Sequence, residues 1–255
     1  MTVIILFAVF LCGAIVASFV GVVAARLYTG QSFLTGHSRC DACGTTLSPL
    51  SLLPIVSFLA SRGRARCCGA RISPLSPLSE AVLGIVFVLS YLTLGCTAAF
   101  WAMLGALSLL LALVLYDLAH QILPPPLLYA FVGMSTVVAL LTAVTHQDFY
   151  DTLLTAVCIG ASLAALHFFS RGRAMGLADA PLSFGLALLV GPVATSGFVF
   201  SFWIGAVVGI VLLAKRPSGS RMGVEVPFAP FLACGFILAY FTQWNLFTYM
   251  MVVPH

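Results

Sequence analysis

Polar positions in this chain fall into a few clusters, and the stretches between them carry almost no charge. Eight apolar stretches run approximately over residues 3–25, 76–95, 98–118, 126–145, 151–170, 181–195, 197–214 and 228–250. A helix crossing the hydrocarbon core needs about 20 such residues, so each stretch predicts a span. The sixth and seventh form one apolar run of 33 residues from Pro181 to Leu213. At about 1.5 Å per residue that run is too long for one crossing. Gly191-Pro192 and Ser196-Gly197 are the breakers that divide it. The first stretch has no basic residue ahead of it and is longer than the apolar region of a cleaved leader, so it reads as a permanent span. The pattern predicts an all-α polytopic membrane protein, a bundle of about eight transmembrane helices. A long loop of residues 29–75, containing cysteines, lies between helices one and two.

Composition sharpens this picture. The chain is 62% hydrophobic and 7% charged, against roughly 25% charged in soluble domains. A soluble domain and a disordered chain are both excluded. Eleven Lys plus Arg against seven Asp plus Glu is too small an excess for a nucleic-acid binder. The placement of charge matters more than its sum. Arg26, Arg39, Arg62, Arg64, Arg66 and Arg71 follow helix one, Arg171 and Arg173 follow helix five, and Lys215, Arg216 and Arg221 follow helix seven. Eight spans put all these connections on one side, which the positive-inside rule makes cytoplasmic, with both termini outside. The organisation expected is residues 1–28 as the first helix, 29–75 as a cytoplasmic loop and 76–255 as a seven-helix membrane domain. The basic loops meet anionic lipid headgroups.

The long loop holds Cys40, Cys43, Cys67, Cys68, His37 and an apolar patch from Leu50 to Ala60. The patch is too short to span and lies in the interface or on the bundle. Cys12, Cys96, Cys158 and Cys234 fall in or beside spans and read as small buried hydrophobes. In the reducing cytosol the loop thiols favour metal over disulfide. Cys40-Asp41-Ala42-Cys43-Gly44 is a C-x-x-C-G knuckle, and Cys67-Cys68-Gly69 follows. Two C-x-x-C pairs would give a tetrahedral zinc site. Here Ala65 stands three residues before Cys68, and Cys67, His37 or a water is left as the fourth ligand. A metal-free loop held by its apolar patch is the alternative.

Few acids exist. Asp41, Asp148 and Asp151 read as solvated, and Glu225 as a partner of Arg221. Glu80 either caps the first turn of helix two or faces a polar cavity. Asp117 and Asp179 differ, because the topology puts both at the cytoplasmic end of spans, where ionisable groups mark function. Two such carboxylates share a proton, and the pair can do aspartic-protease chemistry. The bland alternatives are a helix end beside His120 for Asp117 and an N-cap before Pro181 for Asp179.

The order of these features resembles the type IV prepilin peptidases, bacterial membrane aspartic proteases. The residues carrying the likeness are Ala17-Ser18-Phe19-Val20-Gly21-Val22-Val23-Ala24-Ala25-Arg26-Leu27, the C-x-x-C knuckle, Arg62-Gly63-Arg64-Ala65-Arg66-Cys67-Cys68-Gly69 and Pro77-Leu78-Ser79-Glu80. Asp117-Leu118-Ala119-His120-Gln121-Ile122-Leu123-Pro124 resembles a D-x-x-x-x-x-I-P-D motif, and Gly176-Leu177-Ala178-Asp179 a G-x-G-D motif. Ala178, Pro181, Pro125, Gly21 and Ala65 depart from the family pattern. The resemblance implies an inner-membrane endopeptidase with Asp117 and Asp179 as its catalytic pair at the cytoplasmic face. It would cut the basic leader from prepilin or pseudopilin substrates. The resemblance also implies zinc on Cys40, Cys43 and Cys68, and N-methylation of the new terminus with S-adenosylmethionine. Leader recognition would fall to Asp41, Glu80 and Glu225 or to backbone carbonyls. Two rivals remain, a scaffold or assembly protein of a pilus or secretion system, and a proton-coupled transporter. The oligomeric state is not legible in the chain.

Overall fold

A computed structural model describes residues 1–28, 40, 42–46, 54–173, 175–214 and 226–245. The described residues form helices α1 (Thr2–Arg26), α2 (Val56–Ala60), α3 (Leu75–Leu94), α4 (Ala98–His120), α5 (Pro125–Thr142), α6 (His146–Ser170), α7 (Asp179–Val190), α8 (Ala194–Ala214) and α9 (Ala229–Thr242). No strand is present among them, and an isolated bridge joins Arg64 and Arg71. Six stretches are long and apolar enough to cross a membrane, with Asp179–Ala214 counted as one run of 36 residues and Ala229–Thr242 as a shorter apolar helix. The eight expected stretches correspond to α1 and α3–α9.

Helix ends differ where local chemistry overrides hydropathy. Helix α6 starts at His146 rather than near residue 151 because Thr145 and Asp148 form a capping box. The Thr145 hydroxyl accepts the Asp148 N–H at 3.2 Å and the Asp148 carboxylate accepts the Thr145 N–H at 2.8 Å. Asp148 is therefore a cap and not merely solvated surface. Cys12, Cys96, Cys158 and Cys234 are exposed on the protein, which corrects the expectation that they are buried.

The chain divides into two compact units, Met1–Phe100 and Trp101–His255. In the first, α1 packs along α3. A Cβ added to Gly13 would lie 2.8 Å from the Gly84 Cα, and one added to Gly84 would lie 2.8 Å from the Phe10 ring. Helices in lipid gain by such close backbone approach, because lipid tails are as apolar as their side chains. Gly84→Val is expected to cost about 1–3 kcal/mol by overpacking. A lowered melting temperature in detergent checks this, and an unchanged one would mean that the approach is not tight.

Glu80 is 5% exposed and lies in the second turn of α3, not the first. Its carboxylate accepts the Ile55 N–H at 2.7 Å. Ile55 has φ 59°, a left-handed conformation costly for a β-branched residue. The capping role is thus replaced by a clamp that holds the entry to α2 against α3. Buried there, the carboxylate is engaged by the Ile55 amide. Val56 and Leu59 of α2 are exposed, and 50–53 of the apolar patch lie outside the described residues.

In the second unit α7 packs against α6, α5, α9 and α8, and almost all of it is buried. Gly185 permits the approach of α5, since a Cβ there would lie 2.8 Å from the Phe131 ring. Helices α8 and α9 run antiparallel: Gly197 meets Phe236, and Gly205 meets Phe228 and Phe231. The Ser201 hydroxyl donates to the Gly197 carbonyl at 2.8 Å and across to the Leu232 carbonyl at 3.2 Å. The end of α7, Leu189 and Val190, borders a small apolar cavity shared with Ile237, Tyr240 and Phe241 of α9. Helix α7 therefore rises toward the end of α9, and α8 descends toward its start. The chain reverses at a 3-10 turn, Gly191–Val193, where Gly191 has φ 66°. The long apolar run does break at Gly191-Pro192, but α7 has 12 residues and rises only about 18 Å.

Candidate active site and metal centre

Asp117 lies in the last turn of α4 and Asp179 is the first residue of α7. Both belong to the second unit, and they are 6% and 8% exposed. They lie close enough for the Asp117 charge to act on the Asp179 carboxyl. One Asp117 oxygen accepts the N–H of Ala229 at 3.2 Å, from the first residue of α9. One Asp179 oxygen accepts the N–H of Gly176 at 3.2 Å. The N-cap position of α7 belongs to Ala178, without a side-chain bond. Asp179 is thus not the cap but turns back over its own approach loop. Ala178 adopts φ −69° and ψ −16°, which a residue with a Cβ takes without strain. The methyl that replaces the motif's glycine is accommodated. His120 is exposed, and its ring stacks on Tyr116 with centroids 4.4 Å apart.

Sequence reasoning missed the Ala229 amide, which is 112 residues from Asp117. The signal was Pro230 in the first turn of α9, which marks a helix start whose free amides need acceptors. Asp41, His37 and Glu225, considered above for ligand or leader roles, lie outside the described residues.

The four loop cysteines converge in the first unit. Their sulfurs all lie within 4.8 Å of one another and could hold a metal ion. Sγ separations are 3.8 Å for Cys40–Cys68, 3.4 Å for Cys43–Cys67 and 3.9 Å for Cys67–Cys68. Tetrahedral zinc with Zn–S near 2.3 Å requires about 3.8 Å between sulfurs, so the donor set fits.

The local fold explains how Cys67 takes part. The Gly44 N–H donates to the Cys40 carbonyl at 2.8 Å, and the Cys40 N–H to the Thr45 carbonyl at 2.9 Å. The second loop repeats this: Gly69 N–H to the Ala65 carbonyl at 2.7 Å, Ala65 N–H to the Ala70 carbonyl at 2.8 Å. Gly44 and Gly69 share φ 71°. The two knuckles superpose in register, with Ala65 standing where the first has Cys40. Cys67, two residues on, brings its thiol to the corner that Ala65 leaves without a ligand.

The Thr45 hydroxyl, then its backbone, hold Cys43 down to about 6, while hydrogen bonding to Cys43 and then Cys40 pushes Cys67 up to about 12. Four sulfurs this close ionise together only around a cation.

The family described as the bacterial peptidase A24 N-terminal domain matches residues 11–94. That match ends with α3 and takes in both knuckles. A prepilin leader peptidase/N-methyltransferase of Bacillus subtilis is 29% identical over 91% of this chain and 92% of its own length. Another protein of that name, from Myxococcus xanthus, is 36% identical over 85% of this chain and 66% of its own length. The chain belongs to the prepilin leader peptidase family. The resemblance read from the motifs is thereby borne out. No solved structure matches the chain.

Proposed function

We propose that this protein is a membrane aspartic endopeptidase that cleaves the leader from prepilin or pseudopilin substrates, with Asp117 and Asp179 as its catalytic pair. The observation that carries the reading is the pair itself: two nearly buried carboxylates, from α4 and α7, within interaction distance in one compact unit. The name of the relatives, prepilin leader peptidase, supports it. In this mechanism the ionised member takes a proton from water, and that water attacks the scissile carbonyl. The protonated member polarises the carbonyl, and the member that took the water proton returns it to the leaving amine. The amides of Ala229 and Gly176 hold one oxygen of each carboxylate, leaving the others for water and substrate.

The same reading puts both termini outside and the carboxylates at the cytoplasmic face of the bacterial inner membrane, because the basic connections lie on their side. It gives the cysteine cluster zinc, held by Cys40, Cys43, Cys67 and Cys68, which would fix the two knuckles to each other. The relatives' name also pairs cleavage with N-methylation, and S-adenosylmethionine would supply the methyl group.

The test is purified protein in detergent with a peptide carrying a basic leader and a Gly-Phe junction before an apolar helix, read by product mass. Cleavage at the junction supports the reading. A methyl mass appearing only with S-adenosylmethionine supports the second activity. A folded protein that cleaves no such peptide overturns the reading.

A further inference from the structure

The approach to Asp179 contains a hydrogen-bonded relay that begins on a different helix. His167, half-buried in the last turn of α6, places Nδ1 2.8 Å from the Met175 carbonyl oxygen. A carbonyl oxygen only accepts, so Nδ1 carries the proton. The Met175 carbonyl and the Gly176 N–H belong to one peptide group. That N–H is the donor to the Asp179 carboxylate at 3.2 Å. Because a peptide group is planar and stiff, fixing its oxygen fixes the direction of its hydrogen on the opposite edge. The two bonds also polarise each other, since both run through the same amide.

The backbone of His167 is itself held in place. The Gly172 N–H and the Ser170 hydroxyl donate to the His167 carbonyl at 2.9 and 3.2 Å. A Cβ at Gly172 would lie 3.3 Å from His167 Cε1, so the chain turns tightly over the imidazole. Arg171 and Gly172, at φ 54° and 75°, make that turn.

We propose that His167 is a positioning residue for Asp179, acting through the Met175–Gly176 peptide to fix the orientation of the carboxylate. The proposal rests on the reading of Asp179 as catalytic. Its chemistry demands one feature, an N–H donor at the position of Nδ1. Asparagine places its amide nitrogen the same number of bonds from the backbone, glutamine one bond farther, and leucine supplies none.

The experiment measures kcat and KM for leader-peptide cleavage by wild type, His167→Asn, His167→Gln, His167→Leu and Asp179→Asn. We expect His167→Asn to keep kcat close to wild type. His167→Gln and His167→Leu should lose roughly ten- to a hundredfold in kcat with KM unchanged, as expected when a reacting group is misplaced rather than removed. Equal activity in the asparagine and glutamine variants overturns the proposal, and their contrast decides it even where the leucine variant does not fold. Wild-type kcat in His167→Leu with an inactive Asp179→Asn overturns the positioning role alone. An active Asp179→Asn overturns the catalytic reading and the proposal with it.

Discussion

Asp117→Asn and Asp179→Asn are each expected to lower kcat for leader cleavage by roughly 10²- to 10⁴-fold, the range lost when an acid or base is removed from a proton-transfer step. Substrate binding should change little, since neither substitution alters shape. The folded state should survive as well. An asparagine oxygen still accepts the N–H of Ala229 or Gly176, and neither site then buries an unmatched charge. Loss of kcat with unchanged melting temperature and KM is the expected signature. The double variant should be no worse than either single one, because the two carboxyls act as a unit. A fully active single variant would exclude the aspartic mechanism, whereas a folded wild type that cleaves no leader peptide would favour the scaffold reading. Solute-dependent proton flux in vesicles would instead mark a transporter.

The second large effect concerns the metal. Structural zinc in small cysteine sites contributes apparent binding free energies of about 10–16 kcal/mol, so its loss unfolds the segment it holds. Purified protein should contain about one equivalent of zinc, the stoichiometry of a single tetrahedral site. Cys67→Ser should lose most of it, as should Cys40→Ser. The matched register of the knuckles makes a sharper forecast. Ala65→Cys combined with Cys67→Ala should retain the metal, because residue 65 stands where residue 40 stands in the first knuckle. Metal analysis of the three variants decides the matter. Full zinc in Cys67→Ser would remove Cys67 from the ligand set and leave His37 or water in its place.

Much of the membrane architecture was legible, because hydrophobic length is a strong signal and charge clusters orient it. Of the two breakers expected within residues 181–213, the structure turns at Gly191-Pro192, while Ser196-Gly197 lies inside α8. Their expected depth at the ends of spans singled out Asp117 and Asp179, and the family motifs then named them as a pair. What hydropathy could not supply were specific polar contacts. The start of α6 is set by Thr145 and Asp148, which no hydrophobicity window registers. Glu80 looked like a cap because a negative charge near a helix start suits the dipole, yet α3 begins five residues earlier and turns it inward. The partners of the two aspartates are backbone amides, and a backbone amide has no letter in the sequence. The equivalence of Ala65 with Cys40 emerges only from the carbonyls that the two loops bond.

The short rise of α7 has a consequence for what surrounds it. In the proposed topology α7 starts at the membrane face, climbs about 18 Å and turns inside the oily layer, where no water can satisfy loose backbone groups. Of the three residues in that turn, Val193 is buried, Gly191 is half-buried and Pro192 is exposed. The exposed position is filled by the residue with no N–H to strand there. The bend thus carries its own insulation, and a replacement of equal size and greasiness would still introduce the donor that proline lacks.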